Sequence, residues 1–150
     1  MVDVLQRGRL LVANPALPDP NFDRTVVLVL AHEEEGALGL VLNRPTEMDV
    51  DAPLPRWDHL AADPRVVFVG GPVAPGAAIC LARVPLARVS DAEFAEGWAP
   101  VTGELGTLDL EKDPEDLLVD VEAIRVFAGY AGWGAGQLEQ EIEAGAWFVV

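Results

Sequence analysis

The stretch TVVLVLAHEEEGALGLVL, residues 25–42, decides the predicted fold. Residues 25–31 are apolar at both odd and even positions and rich in β-branched side chains, which is typical of a strand covered on both faces. Residues 32–36 are a polar turn, and residues 37–42 are a second apolar run. Because the link is short, the two runs are predicted to pair as an antiparallel hairpin.

Other apolar runs flank this hairpin along the chain. Strands are predicted at residues 8–12, 66–69, 77–84, 124–128 and 147–150, with residues 46–56 irregular because of their prolines. Short helices are predicted to begin at Ser90, which has capping-box spacing with Glu93, and at Asp113. Another helix is predicted for residues 137–144, ending at Gly145. This irregular alternation favours an α+β fold over a strict βαβ repeat.

Length and charge restrict the classes of function. The 150 residues suit one domain, 1–150, and 51% apolar residues are enough for a sizeable core. Ten Lys and Arg oppose 25 Asp and Glu, a net charge of -15, so direct nucleic-acid binding and binding to anionic membranes are disfavoured. A single cysteine fits a reducing cytoplasm, and the N-terminal residues do not resemble a secretory signal. We therefore expect a cytoplasmic protein.

The reactive side chains are few, and each has a structural explanation. Ser90, the only serine, is accounted for by its capping box, and Cys80 lies in an apolar strand. The segment HEEEG at residues 32–36 lacks the second histidine of a zinc-protease motif. The sequence therefore predicts no catalytic residue, no metal and no cofactor.

The strongest local feature is GYAGWGAGQLEQE, residues 129–141. Its glycines, from Gly129 to Gly136, form a predicted loop between a strand and a helix, where backbone amides could hold an anion. Gln137 and Glu139 follow in the first turn of that helix. The alternative is that the glycines allow tight packing around Trp133, and the sequence leaves both readings open.

Four other polar residues are candidates for ligand or partner binding. Arg24 and Arg44 each lie at the end of an apolar strand, where they could bind a carboxylate or phosphate or form internal salt bridges. His32 is the first residue of the polar turn, and Asn43 follows directly after the second strand of the hairpin. Together with the 129–137 loop, His32, Asn43 and Arg44 are predicted to line one groove.

Several motifs in order resemble one known family. DPNFDRTVV at 19–27, HEEEGALGLVLNRP at 32–45, GGPV at 70–73 and GYAGWGAGQLEQEI at 129–142 are similar to the bacterial AlgH/YqgE family. The resemblance implies a single domain with a branched, mostly antiparallel sheet that includes a small closed β-barrel, surrounded by helices. It also implies that the chain, which ends at Val150, lacks a C-terminal extension that relatives carry.

Three functions compete. The family's molecular activity is not established, and one branch carries the label of a transcriptional regulator, so the resemblance assigns no catalytic residue. The first hypothesis is a non-enzymatic binding or regulatory module that acts through a protein or small-molecule partner. The second is a binder of, or an enzyme acting on, a small anionic ligand held by residues 129–136 and by Arg24 and Arg44. The third is direct DNA binding, which the net charge disfavours. The sequence leaves the oligomeric state open.

Overall fold

The chain divides into two compact units. The computed structural model describes residues 6–16, 19, 22–92, 95–117 and 120–150. The first unit comprises Met1–Arg44, Val69–Pro75 and Gly129–Val150, and the second comprises Pro45–Phe68 and Gly76–Ala128. The single-domain prediction stays a prediction.

Strands dominate the described residues. In chain order they are β1 (Leu10–Ala13), β2 (Val26–Glu33), β3 (Gly36–Val41), β4 (Pro45–Asp49), β5 (Val66–Val69), β6 (Val73–Arg83), β7 (Trp98–Thr102), β8 (Leu105–Leu108), β9 (Ala123–Gly134) and β10 (Trp147–Val149). The α-helices within the described residues are α1 (Val89–Ala92) and α2 (Gln137–Glu143). Short 3-10 turns occur at Asp58–Leu60, Leu86–Arg88 and Pro114–Asp116.

The predicted hairpin is the centre of the first unit. Strands β2 and β3 pair antiparallel, with Val27 opposite Val41 and Glu33 opposite Gly36. Neighbouring strands continue this antiparallel pairing in the order β10-β1-β2-β3-β9. A bulge between Val29 and Ala31 interrupts β2. The hairpin prediction is confirmed, and apolar side chains of both strands lie in the buried core of this unit.

The predicted glycine-rich loop is wrong for most of its length. Strand β9 continues to Gly134, with Gly132 opposite Leu38 and Gly134 opposite Gly36 of β3. The reason is close approach of main chains, which glycine permits inside a strand. A β-carbon on Gly129, whose φ is +74°, would lie 2.6 Å from the carbonyl oxygen of Gly71. Only residues 135 and 136 remain as a turn before α2.

The second unit holds its own antiparallel strands and core. Strand β8 pairs with β6 on one side and with β7 on the other. Strand β4 pairs with β5, so the prediction of an irregular segment at residues 46–56 is wrong for its first four residues. The core of this unit includes Val50, Trp57, Val84 and Ile124, all of them buried.

The helix predicted to begin at Asp113 is wrong. Asp113 is followed by a 3-10 turn, and Leu117 already has an extended backbone with ψ 132°. The side chain of Asp113 makes no cap hydrogen bond because it pairs instead with Arg56. Residues 118 and 119 lie outside the described residues. Strand β9 begins at Ala123, one residue before the strand predicted at residues 124–128.

The helix predicted at Ser90 is present as α1, but Ser90 is not its N-cap. It lies inside α1, which continues directly from the 3-10 turn Leu86–Arg88. A helix that grows out of a 3-10 turn has its first amides engaged by that turn and needs no capping side chain there. Glu93, the other half of the predicted capping box, lies outside the described residues.

The mostly antiparallel sheet is therefore confirmed. Helices are few among the described residues, and none is long and apolar enough to cross a membrane. The closed barrel and the surrounding helices stay predictions.

Candidate functional site

Glu141 on α2 holds two tryptophans in the first unit. Its Oε1 accepts hydrogen bonds from the indole Nε1 of Trp133 at 3.2 Å and of Trp147 at 3.0 Å. Its Oε2 accepts from the Nε2 of Gln137 at 2.9 Å. Both tryptophans are buried, so their indole N–H groups need such a partner. This carboxylate is therefore a structural acceptor.

Phe22 completes an aromatic cluster with the same tryptophans. Its ring stacks on Trp133 with centroids 6.0 Å apart and meets the edge of Trp147 at 5.5 Å. The turn after Phe22 is fixed by its carbonyl oxygen, which accepts from both the amide and the hydroxyl of Thr25. The segment DPNFDRT thus contributes its aromatic residue to packing. Pro20 and Asn21 within it lie outside the described residues.

His32 and Glu139, two predicted candidates, are in direct contact. The Nε2 of His32, on β2, lies 2.7 Å from the Oε1 of Glu139, on α2, and the imidazole N–H donates to the carboxylate. The His32 side chain is only 5% exposed, whereas that of Glu139 is 34% exposed. The contact joins the end of the hairpin to the helix.

The side chain of Gln137, the first residue of α2, accepts a hydrogen bond from the strand that precedes the helix. Gly136 precedes the helix with φ +73°, and its carbonyl oxygen accepts from the amide of Gln140. The Oε1 of Gln137 accepts from the amide of Gly134 at 3.0 Å. Gly132 and Gly134 belong to a strand, and the amide of Gly134 already donates to Gln137. The backbone amides of these two glycines therefore do not form the anion-binding loop that the sequence predicts.

A different set of candidates forms the corner where β2 begins. Asn43 accepts from the amide of Val26 at 3.0 Å and donates to the carbonyl oxygen of Arg24 at 2.9 Å. The Nη2 of Arg44 donates to the carbonyl oxygen of Asp23 at 3.0 Å. Arg24 itself has a left-handed backbone, φ +57°, and an exposed side chain. Asn43 and Arg44 thus fix the turn that presents Arg24.

The two sets lie at opposite ends of β3. Gly36, at its start, pairs with Gly134, and Val41, at its end, pairs with Val27 beside the corner. The five steps of about 3.3 Å between its six residues place the two ends of the strand about 16 Å apart. The described structure therefore brings His32, Trp133, Gln137 and Glu139 together and leaves Arg24, Asn43 and Arg44 apart from them.

An open cavity of about 360 Å³ lies beside the β2–β3 turn. We call it the hairpin pocket; it is lined by Ala31, Glu33, Glu35, Gly36, Ala37, Leu38 and Trp133. Leu38 is 43% exposed, which is unusual for a large apolar side chain in the middle of a strand. The pocket combines an apolar floor with two carboxylates.

Sequence reasoning missed both Glu141 and the pocket residues Leu38, Glu33 and Glu35. Glu141 lies four residues after Gln137 and three after the buried Leu138, so helical spacing turns it towards the core. Trp133 precedes the helix and Trp147 follows it in the sequence. A carboxylate on the inner face between them indicates an acceptor for their indole N–H groups. Nothing in the spacing of Leu38 distinguished it from its buried neighbours.

Cys80 and Ser90 are not placed as activated nucleophiles. Burial raises the pKa of the Cys80 thiol to about 12, so it stays protonated at neutral pH. Ser90 lies in α1 with no hydrogen bond to a histidine among the described residues. Within the same residues, no group of three or more His, Cys, Asp or Glu side chains is placed to hold a metal ion.

Comparison with known sequences gives a consistent family. The family model described as AlgH-like matches residues 10–150. A UPF0301 protein of Streptomyces coelicolor is 57% identical over 143 residues, which cover 95% of this chain and 74% of that protein. A UPF0301 protein of Mycobacterium tuberculosis is 46% identical over 146 residues, covering 97% of this chain and 71% of that protein.

Solved structures agree with this assignment. The crystal structure of protein DIP2367 from Corynebacterium diphtheriae matches with a TM-score of 0.91 and 30% identity, over 99% of this chain and 76% of that one. The solution structure of the AlgH protein from Pseudomonas aeruginosa matches with a TM-score of 0.67 and 30% identity, over 95% of this chain and 75% of that one.

Proposed function

The chain belongs to the AlgH-like family, and from this premise we propose that it is a non-enzymatic binding module that acts through a protein partner. The partner contacts the hairpin pocket of the first unit. Any regulatory role, including the one that the label of transcriptional regulator suggests, then runs through this protein contact. The proposal places the contact in the cytoplasm, where a free cysteine such as Cys80 stays reduced.

The proposal rests on one observation: polar side chains of the sequence motifs are hydrogen-bonded to other residues of the first unit. Glu141 accepts two indole N–H groups, and Glu139 accepts from His32. Asn43 holds the main chain on either side of Thr25. Catalytic groups need to face a substrate, whereas these side chains are used in building the first unit.

The hairpin pocket differs from that scaffold because its apolar floor is accessible. Leu38 presents its side chain to solvent next to Ala31 and Trp133. Apolar pockets with a few polar groups at the rim are the usual places where proteins take a ligand or a partner side chain. A partner that inserted an apolar side chain here would remove Leu38 from water.

Selection from a random peptide library tests the proposal. Peptides displayed on phage are selected on the full chain, and the recovered ones are synthesised and measured by fluorescence anisotropy. We expect Leu38→Ser to weaken them at least about fivefold, since truncating a contact leucine costs about 1–2 kcal/mol. Met48→Ser is the matched control, because Met48 is 55% exposed on β4 of the second unit. Failure to recover peptides, or equal affinity for wild type and Leu38→Ser, contradicts the proposal.

A second candidate function is binding of a small anion at the Arg24 corner. The observation that favours it is the left-handed backbone of Arg24, since such strain in a residue other than glycine often accompanies a binding role. A thermal-shift series with ATP, inorganic phosphate and acetate tests it. Under the first proposal none of them stabilises the wild type. Stabilisation by phosphate that Arg24→Gln abolishes would establish the anion site instead.

A further inference from the structure

We propose that the occupant of the hairpin pocket is a basic amphipathic peptide segment, with an arginine or lysine beside an apolar side chain. This inference rests on the proposed function and specifies the chemistry of the partner at the same site. It follows from the shape of the pocket, from its charges and from the kinds of ligand that these charges exclude.

The carboxylates at the pocket lack internal partners. Glu33 and Glu35 line the cavity, and Glu34 lies between them in the turn. All three are exposed, and none makes an ion pair or a side-chain hydrogen bond among the described residues. In the second unit, by contrast, Asp113 and Glu122 each pair with an arginine. Three adjacent carboxylates without counter-charges produce a negative potential beside the cavity.

No basic side chain of the hairpin offsets this potential. The first unit carries four arginines and nine Asp and Glu residues, a net charge of -5. Two of these arginines, Arg24 and Arg44, lie towards the far end of β3 from the pocket. The other two, Arg7 and Arg9, lie just before β1, where the main chain of Arg9 pairs with Val29 and its Nε donates to the carbonyl oxygen of Val150. The acids still outnumber these four cations. An anionic peptide or a nucleic acid would therefore be repelled at the pocket, whereas a cationic segment is attracted.

The floor selects an amphipathic cation over a simple one. Ala31, Ala37, Leu38 and Trp133 are the apolar residues that line the pocket; Leu38 is exposed and Ala31 half-buried, while Ala37 and Trp133 are buried. The aliphatic stem of an arginine or lysine covers such surface while its charged head remains near the rim. An isolated inorganic cation would gain nothing from this floor. A cavity of about 360 Å³ is large enough for one such side chain and an apolar neighbour.

A set of three matched peptides tests this chemistry. Fluorescein-labelled Gly-Leu-Arg-Leu-Arg-Leu-Gly is titrated with the full chain, and two analogues carry Gln or Glu in place of both Arg residues. We expect the Arg peptide to bind at least about tenfold more tightly than the Gln peptide, and the Glu peptide to bind most weakly. Raising the salt from about 50 to 500 mM should weaken the Arg peptide at least about threefold, because exposed charges are screened.

Two substitutions locate the contact. The double variant Glu33→Gln/Glu35→Gln should weaken the Arg peptide about fivefold, and Leu38→Ser should weaken it by a similar factor. The double variant Glu47→Gln/Asp49→Asn on β4 is the control, because it removes the same two negative charges at another exposed place, and it should leave the affinity within about twofold.

The outcomes separate this inference from the proposed function. Equal binding of the Arg and Gln peptides, with sensitivity to Leu38→Ser, overturns the basic partner and leaves the pocket as a binding site. Equal weakening by the two charge variants shows attraction to the whole chain and overturns the pocket contact. Absence of binding by all three peptides overturns the inference, while the library selection judges the proposed function independently.

Discussion

Glu141 illustrates how a single side chain can account for a motif. Its carboxylate joins Trp133, Trp147 and Gln137, three residues that a search for ligand-binding groups selects for their polar atoms. The polar ends of both indoles are directed to this acceptor, and their ring faces pack with Phe22. The conspicuous residues of the motif at 129–141 therefore serve packing first.

Removing this carboxylate should destabilise the first unit. Glu141→Ala leaves two buried indole N–H groups without an acceptor, which should lower the free energy of unfolding by about 2–4 kcal/mol. Urea titration followed by tryptophan fluorescence measures the change. Glu143→Ala is the control, since Glu143 is exposed on the same helix and should cost little. A Glu141→Ala protein as stable as the control would show that the indoles do not depend on this carboxylate.

Cys80 should be inert in the folded chain. Burial raises its pKa from 9.0 to about 12, so at pH 8 its thiolate population is about one thousandth of that in the unfolded chain. Iodoacetamide should therefore alkylate the native protein about a thousandfold more slowly than the protein in urea, as mass spectrometry can follow. Rapid alkylation under native conditions would contradict this.

The same thiol should make stability depend on alkaline pH. The folded pKa lies above the unfolded one, so the free energy of unfolding is unaffected by Cys80 below pH 9. It then falls by about 1.4 kcal/mol per pH unit towards the folded value, because only the unfolded chain releases the proton. Comparison with Cys80→Ala isolates this contribution. Parallel pH profiles for the two proteins would contradict it.

At the scale of elements, the pairing of β3 with β9 depends on Gly36. A β-carbon at this position would collide with the carbonyl oxygen of Trp133, and its φ of +146° lies outside the usual range for other residues. Gly134, directly opposite, has room: the nearest atom to its added β-carbon is the Oε1 of Gln137 at 3.8 Å. The two partners in one pair thus tolerate substitution very differently.

This contrast gives a matched pair of variants. Gly36→Ala should lower the free energy of unfolding by about 2–4 kcal/mol, because it combines backbone strain with a clash against main chain. Gly134→Ala should stay within about 0.5 kcal/mol of the wild type. Urea unfolding of both variants, side by side, gives the comparison. Equal losses would mean that the strand pairing does not require glycine at position 36.

The elements that could be predicted were those with a clear local pattern. The hairpin at residues 25–42 was found because both runs are apolar and their link is short. Helix α2 could be predicted because Gly145 marks its end, and strand β10 because an apolar run begins at Trp147. The family resemblance added the mostly antiparallel sheet, which runs of hydrophobicity alone do not specify.

The elements that could not be predicted depend on distant partners. Gly132 and Gly134 form a strand because β3 lies beside them, which no local pattern reveals. Asp113 has the composition of a helix start, yet its carboxylate pairs with Arg56, far away in sequence. The hairpin pocket was missed for the same reason, since the exposure of Leu38 depends on what packs around the strand and not on its own sequence.

At the scale of the whole molecule, DNA binding is opposed both by the net negative charge and by the ion pairs that most cations of the second unit form. The second unit has six basic and sixteen acidic residues, a net charge of -10. Most of its cations are already engaged with carboxylates of the same unit. These ion pairs are Arg56–Asp113, Arg65–Asp58, Arg83–Glu122, Arg88–Asp91 and Lys112–Glu96. A phosphate backbone would have to displace these carboxylates before it could use the cations.

We therefore expect no direct binding of this chain to DNA. In an electrophoretic mobility shift assay with a 30-base-pair duplex at about 50 mM salt, the wild type should give no retarded band at protein concentrations up to about 10 μM. The triple variant Glu33→Lys/Glu34→Lys/Glu35→Lys is the control: it adds a basic hairpin and should bind weakly, with an affinity that falls as salt is added. A wild-type complex that weakens steeply with salt would show instead that the few cations converge on a phosphate-binding surface despite the excess of acids.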